Sequence, residues 1–216
     1  MKKERISELR EYFLAQLLNN VLPFWIKNAI DYECGGYITY LDRKGSILCT
    51  DKSMWIQGRT AWLFARLYNE LEPREEWFKL SQHGIEFIKK YGFDIDGRVF
   101  FTVTRDGQPL RKRRYLFSET FAIIALAEYS RASGSKEDLE LARKILEMVL
   151  FFYKNPYFLP QKIYPQTRKL SSLSLPMILI NTIQILRNAD HQDERYNKII
   201  DDLINDIFTF FAKSDR

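Results

Sequence analysis

The stretch from Asp51 to Glu70, DKSMWIQGRTAWLFARLYNE, narrows the possible architectures most, because it reads as a helix with two unlike faces. At ~100° per residue, Ile56, Ala61, Leu63, Phe64, Leu67 and Leu71 gather on one side. Trp55, Arg59, Trp62, Arg66, Asn69 and Glu70 gather on the other. A helix on the outside of a bundle needs one apolar stripe and one solvated stripe. Two tryptophans beside a fixed cation suit instead a cavity that stacks on a ring and hydrogen-bonds its hydroxyls. Arg59 has Trp55 at i−4 and Trp62 at i+3 as helical neighbours. The competing reading is an i,i+4 surface pair of Arg66 with Glu70, the tryptophans packing under a neighbouring loop. Gly58 costs ~1 kcal/mol relative to alanine inside a helix, which points to the close approach of another group.

The rest of the chain supplies helices in pairs. Ile6, Leu9, Phe13, Leu17 and Leu18 predict a helix from Lys3 to about Asn20, and Pro23 follows it. Gly35–Leu41 and Ser46–Thr50 read as short strands around an Asp42–Gly45 turn. Asp51 or Ser53 is the cap expected to open the two-faced helix. After Pro73 the pattern predicts a helix from Glu75 to Tyr91, with Phe78, Ile85 and Ile88 on its apolar stripe. A ribbon over Gly97–Thr104 with an Asp106-Gly107 turn comes next. Helices are then expected over Leu116–Ala132 and Lys136–Tyr153, joined by the stop and cap Ser133-Gly134-Ser135. Pro156, Pro160 and Pro165 interrupt a loop before a last pair, about Leu173–Asn188 and Glu194–Phe211. No strand is long or frequent enough for a central sheet, so βαβ architecture is excluded. The expectation is one all-α domain over 1–216: an α/α array of about seven helices with short β-ribbons, one helix of each pair lining the inside. The stripe Ile199, Leu203, Ile207 and Phe210 has no later helix to cover it and is expected to be bare, favouring self-association.

Composition excludes several functions. The chain of 216 residues is 46% hydrophobic and 15% aromatic, which suits a packed core and not disorder. The net charge of +5 owes much to the run Arg111-Lys112-Arg113-Arg114. That run is either a solvated loop or a contact for an anionic ligand or nucleic acid; no nucleic-acid motif accompanies it, so nucleic acid is not the expected partner. Cys34 and Cys49 have neither disulfide-framework nor metal-site spacing, and a reducing, cytoplasmic compartment is expected. The charged amphipathic N-terminus is not a targeting segment, and no run approaches a membrane span. No metal or cofactor motif is present.

Two polar residues on inner stripes remain ambiguous. Glu119 opens its helix, either as half of a working carboxylate pair or as a complement to the helix dipole. Asn181 shares a stripe with Ser174, Met177, Gln184 and Asn188 that lines either a wet cavity or the surface. His83 and His191 lack partners at diagnostic spacing, and His191 falls in an interhelical loop. Residues alone therefore give an α/α domain with an aromatic and arginine wall for a sugar or small polar ligand, and no visible catalytic set.

Ordered motifs add a resemblance. Leu22–Glu70 carries an LPFW segment, a GG-aromatic strand, an LDR-x-G turn, a TDK-x-x-W step and a QGR helix; Tyr115–Gly134 carries SE-x-F and Leu173–Leu186 carries PM-x-x-x-N. In this order they resemble the N-acylglucosamine 2-epimerase family along nearly the whole chain. The resemblance implies an (α/α)6 barrel whose members interconvert C2 epimers of a sugar or isomerise aldose and ketose, and it implies no cofactor either way. It implies that Arg59 contacts the sugar oxygens and stabilises an enediol-like intermediate, with Trp55 and Tyr37 near the pocket, Glu119 facing inward and Asn181 lining it. The family's two acid/base groups are histidines from the later half of the barrel, and neither His83 nor His191 matches their motifs. This chain has about half the family's length and reaches the seventh of twelve helices. The expectations are a truncated product inactive alone, a split enzyme with a separate C-terminal half, or a non-catalytic sugar-binding or interaction module. A glycoside hydrolase on a similar toroid would need two flanking carboxylates, and only Glu119 is a candidate.

Overall fold

Helical propensity at the N-terminus carries through a proline. The computed structural model describes residues 3–212, apart from 162, 165, 169 and 192. α1 (Lys3–Gln16) passes through a π turn, Leu17–Val21, into α2 (Leu22–Ala29). The Leu22 N–H donates to the Leu17 carbonyl, and Pro23 sits at the start of α2. A first-turn proline leaves no amide unpaired, so the wider turn lets the helix expected to stop near Asn20 continue to Ala29.

Two ribbons follow the sequence pattern in part. β1 (Tyr40–Leu41) pairs antiparallel with β2 (Ile47–Cys49), and Asp42 Oδ1 closes their turn by accepting from the Lys44 and Ser46 amides at 2.8 Å each. The first strand is shorter than expected because Gly35 and Gly36 turn the chain at positive φ. β3 (Lys52–Ser53) is a strand that periodicity gave no sign of. It pairs with β4 (Thr102–Val103), which pairs in turn with β5 (Pro109–Arg111), giving a three-stranded sheet in the order β3-β4-β5. Ser53 stands at the N-cap of the next helix, but its side chain makes no capping bond.

The remaining helices are α3 (Met54–Glu70), α4 (Glu75–Tyr91), α5 (Phe117–Ser133), α6 (Lys136–Lys154), α7 (Ser174–Ala189) and α8 (Arg195–Phe211). α3 packs on α5 and α5 on α7, forming an inner row; α4, α6 and α8 back them from outside as their hairpin partners. This is an arc of an α/α toroid. α5 sits in its middle, and every residue from Ser118 to Ser130 is buried, the charged Glu119 and Glu128 among them. The α5–α6 corner matches expectation: Gly134 ends α5 in the left-handed region at φ +73°, and Ser135 Oγ caps α6 by accepting from the Asp138 amide.

The two faces of α3 are rotated from the expected ones. Met54, Gln57, Gly58, Ala61, Phe64, Ala65 and Leu67 are buried, while Ile56 and Leu63 are only half-buried and Leu71 is exposed. Small residues win the core positions because α3 lies between two helices and must approach both. A Cβ on Gly58 would come within 2.6 Å of the Phe121 carbonyl oxygen, so the group approaching this glycine is the α5 backbone and not a ligand. Toward its C-terminus the polar face of α3 is a helix-to-helix network. Arg66 pairs with Glu70 at 3.2 Å, and the buried Glu128 of α5 accepts from Asn69 and Arg131.

A second ionic cluster fastens the ribbons. Asp31, just past α2, accepts from Lys52 of β3 at 2.9 Å and from both Nε and a terminal nitrogen of Arg105 in the β4–β5 turn, at 2.8 and 2.9 Å. Lys52 is fully buried and also donates to the Gly35 and Arg105 carbonyls. At the far end, Tyr196, Ile200 and Leu203 of α8 turn inward against α7, so Leu203 is not bare as expected. Phe208 and Phe210, 67% and 69% exposed, carry the open apolar surface there.

Gly58→Ala tests the α3–α5 contact. Propensity alone would stabilise the helix by ~1 kcal/mol, but overpacking a closed contact costs about 1–3 kcal/mol. The urea midpoint should fall; an unchanged or higher midpoint would mean the helices have slack at this point.

Asp31 gives a pH signature. Burial alone would push its carboxyl up, but the bonds from Arg105, Lys52 and the Cys34 amide outweigh burial and hold it well below the usual carboxylate range. A depressed carboxylate contributes stability that is present above its unfolded value of 3.8 and lost as pH falls below it. Asp31→Asn should cost about 3–5 kcal/mol at neutral pH by leaving Lys52 buried and unpaired. Urea unfolding across pH should show that deficit shrinking below pH ~4; a constant deficit would remove Asp31 from the acid response.

Candidate functional site

At the N-terminal ends of the inner helices, aromatic rings and guanidinium groups share one cluster. α3 and α5 run parallel there: the Trp55 Nε1–H donates to Ser118 Oγ at 2.9 Å, and one turn on Gly58 meets Phe121. Trp55 also meets Phe101 edge-on at 5.2 Å, Phe117 at 5.6 Å and Phe121 at 5.8 Å between ring centroids. Arg59 lies one helical turn from Trp55, and its guanidinium carbon sits 4.2 Å over the Phe121 ring. It is exposed and has no ion-pair partner among the described residues. Stacking fixes the plane of the guanidinium while leaving its N–H edges for a ligand. Beside it, between α2 and α3, a cavity of ≈ 260 Å³ is lined mainly by apolar groups, among them Leu22, Trp25, Ile56 and Leu63.

The other expected site residues take different places. Tyr37 is 1% exposed; its hydroxyl donates to the Leu80 carbonyl at 2.6 Å, and its backbone exchanges two bonds with the Gln57 side chain. Its polar group is spent in the core, and Tyr37 lines the cavity beside Arg59 without offering its hydroxyl to it. Glu119 is fully buried. Its Oε1 accepts from Arg98 Nε at 2.6 Å and from the Val99 amide at 3.1 Å, while its Oε2 is buried with no hydrogen-bond partner. Burial pushes the Glu119 carboxyl up, against the downward pull of Arg98. Asn181 lies on an exposed stripe of α7 with Met177 and Gln184. Trp62 packs against the core.

Glu119 acts at a distance through Arg98. A terminal nitrogen of Arg98 donates to the Arg113 carbonyl at 2.9 Å and to the Tyr115 carbonyl at 3.1 Å, fixing the end of the basic run. Arg113 then stacks 4.3 Å over Phe101, and Arg114 lies 5.3 Å from the Tyr115 ring. The run is therefore not a plain solvated loop. Phe101, Arg113, Phe117, Ser118 and Phe121 belong to the cluster and were not identified from sequence; the signal was the aromatic pairs flanking the run, Phe100-Phe101 and Tyr115-Phe117.

This wall can stack on a ring, donate hydrogen bonds and stabilise negative charge. Proton transfer is another matter, because the nearby candidates are engaged. The His83 Nε2 faces the Asp31 and Gly36 carbonyls at 3.2 and 3.0 Å, which makes it the protonated nitrogen and a brace for that turn. His191 is exposed in the α7–α8 loop. Among the described residues no cluster of histidine, cysteine or acidic side chains could hold a metal ion, and no helix is long and apolar enough to cross a membrane.

Comparison with known proteins assigns the lineage. The family model "N-acylglucosamine 2-epimerase (GlcNAc 2-epimerase)" matches residues 36–216. The N-acylglucosamine 2-epimerase of Bos taurus is 30% identical over 184 residues, covering 83% of this chain and 44% of the relative. A cellobiose 2-epimerase of Dictyoglomus turgidum is 33% identical over 155 residues, covering 69% of this chain and 39% of the relative. In three dimensions the cellobiose 2-epimerase of Bacillus thermoamylovorans superposes with a TM-score of 0.81 at 22% identity, over 96% of this chain and 57% of that one. The chain thus spans less than half the length of these curated relatives, and its arc of helix pairs has the (α/α)6 barrel fold. With the matched segment reaching from the second glycine of the GG turn through α8, this chain belongs to the N-acylglucosamine 2-epimerase family.

Proposed function

We propose that these residues form one wall of the sugar pocket of a 2-epimerase or isomerase acting on N-acylglucosamine, N-acylmannosamine or a related aldose. The observation that carries the proposal is Arg59: an exposed guanidinium, stacked on Phe121 beside Trp55, with no carboxylate partner among the described residues. In this reading the indole ring of Trp55 offers a face to the sugar, and Arg59 donates to oxygens at C1 and C2. As the C2 proton leaves, charge develops on the enediol-like oxygens, and a donor already aimed there lowers the barrier without reorganising.

Epimerisation also needs one group to take the proton from one face and a second to return it on the other. Glu119 and His83 are engaged in structure, and Asn181 cannot transfer a proton at neutral pH. The chemistry then depends on groups in the part of the relatives that this chain does not span, whether joined to it or separate. By itself the chain binds sugar and does not turn it over. A non-catalytic binding module behaves identically until that complement is supplied.

Arg59→Ala should abolish sugar binding with the far-UV circular dichroism unchanged; unaltered affinity would remove Arg59 from the site. Incubating the chain with N-acetylmannosamine or mannose in deuterated water should give no deuterium at C2. Adding the C-terminal half of a homologous epimerase in trans should restore exchange. Exchange by the chain alone would place the acid/base groups within it, with His83 and His191 the first to replace.

A further inference from the structure

We propose that the sugar bound here carries an anionic group, a phosphate, sulfonate or carboxylate, held by Arg113 and Arg114 at the mouth between α5 and α7. The inference rests on the sugar-binding reading of the wall, and it starts from the unequal treatment of the basic run. Lys112 is neutralised by Asp94 and Asp96 at 2.7 and 2.6 Å. Arg113 and Arg114 have no carboxylate partner among the described residues, although both side chains are half-buried. Each also has its Nε buried with no acceptor. A buried donor left unpaired costs about 1–3 kcal/mol, more when charged, so two adjacent ones mark a place where an acceptor is missing. Nε and a terminal nitrogen form the edge that binds an oxyanion in bidentate fashion.

The surroundings favour an anion independently. A cavity of ≈ 400 Å³ is lined by Arg114, Tyr115, Phe117, Leu175 and the hydroxyl-bearing Ser172 and Ser174. It lies where α5 and α7 begin, and neither helix has a side-chain cap: the N-cap positions are Leu116 and Leu173. The positive ends of both helix dipoles thereby face whatever enters. The nearest carboxylate in this network, Glu119, is bound to Arg98 and serves to hold the Arg113 and Tyr115 carbonyls in place. The anion site is also continuous with the sugar wall. Arg113 lies over Phe101, Phe101 meets Trp55 edge-on, and Trp55 meets Phe121, which lies under Arg59. A sugar lying on Trp55 and Arg59 would direct its acidic substituent toward the arginine pair.

Titration calorimetry on the whole chain at fixed ionic strength, with mannose, mannose 6-phosphate, mannuronate and inorganic phosphate, tests this. An acidic sugar should bind at least about tenfold more tightly than mannose, the worth of one good charge-assisted contact. The comparison of phosphate with carboxylate identifies the group. In the double variant Arg113→Gln, Arg114→Gln the ratio of acidic-sugar to mannose affinity should fall to about one, and Lys112→Gln, which removes a charge already paired, should keep the ratio. Equal affinity for mannose and both acidic sugars, or an advantage that survives the double variant, overturns the inference and leaves the sugar wall standing. If mannose fails to bind but inorganic phosphate binds in a manner dependent on Arg114, the anion site stands and the sugar reading falls. If neither phosphate nor any acidic sugar binds, the inference is wrong.

Discussion

The buried pair of Arg98 with Glu119 decides where the aromatic and arginine cluster of this molecule sits. Glu119 projects from the first turn of the most buried helix, and Arg98 comes from the loop before the three-stranded sheet. Removing both charges from water costs several kcal/mol per ion, and Glu119 Oε2 lacks a partner altogether. Such an arrangement adds little net stability. What it supplies is position: with Oε1 fixed, Arg98 reaches two backbone carbonyls in the segment that leads into α5, and so sets the angle at which Arg113 and Tyr115 leave the sheet. An apolar pair of the same volume would pack as well and hold nothing.

Asp31 does the same for β3 and the β4–β5 turn, joining them to the end of α2 through Lys52 and Arg105. Both anchors bind loops to the N-terminal ends of the inner helices, where short strands alone could not hold them. Two- and three-residue strands are too short to be stable by pairing. The loops are therefore ordered by charge and the helices by packing, which places adaptable chain on a rigid base.

This division explains what the sequence revealed. Features set by nearest neighbours were legible: the Glu75–Tyr91 helix to the residue, the Gly134 stop with its Ser135 cap, and the turn closed by Asp42. The aromatic and arginine cluster was legible where it follows helical spacing, as with Trp55 and Arg59 one turn apart. Features set by contacts across tens of residues were not. That the Tyr37 hydroxyl donates to the Leu80 carbonyl, 43 positions away, leaves no trace in the local sequence. Glu119 was read as a dipole complement or a working acid because Arg98 lies on another element. The expected faces of α3 were turned because hydrophobicity ranks leucine above glycine and alanine, whereas a helix between two close neighbours buries the residues that fit. Gly58 was recognised as a sign of close approach, and only the identity of the approaching group was missed.

The arginines of the wall show how the same residue serves two purposes. Arg98, Arg105 and Arg143 each meet a buried carboxylate, and their charge is consumed in joining elements. Arg59 and Arg113 instead lie over the faces of Phe121 and Phe101. A carboxylate partner would orient a guanidinium equally well but would neutralise it and fill the edge a ligand needs. An aromatic face orients it through the quadrupole and contact area, at ~0.5–2 kcal/mol, and leaves both charge and N–H groups available. The phenylalanines beneath these arginines thus orient two guanidinium groups without neutralising them. Two faces of Trp55's neighbourhood, one leading to Arg59 and one to Arg113, give the cluster two cationic ends joined by apolar rings, a pattern suited to a ligand with a ring between two sets of oxygens.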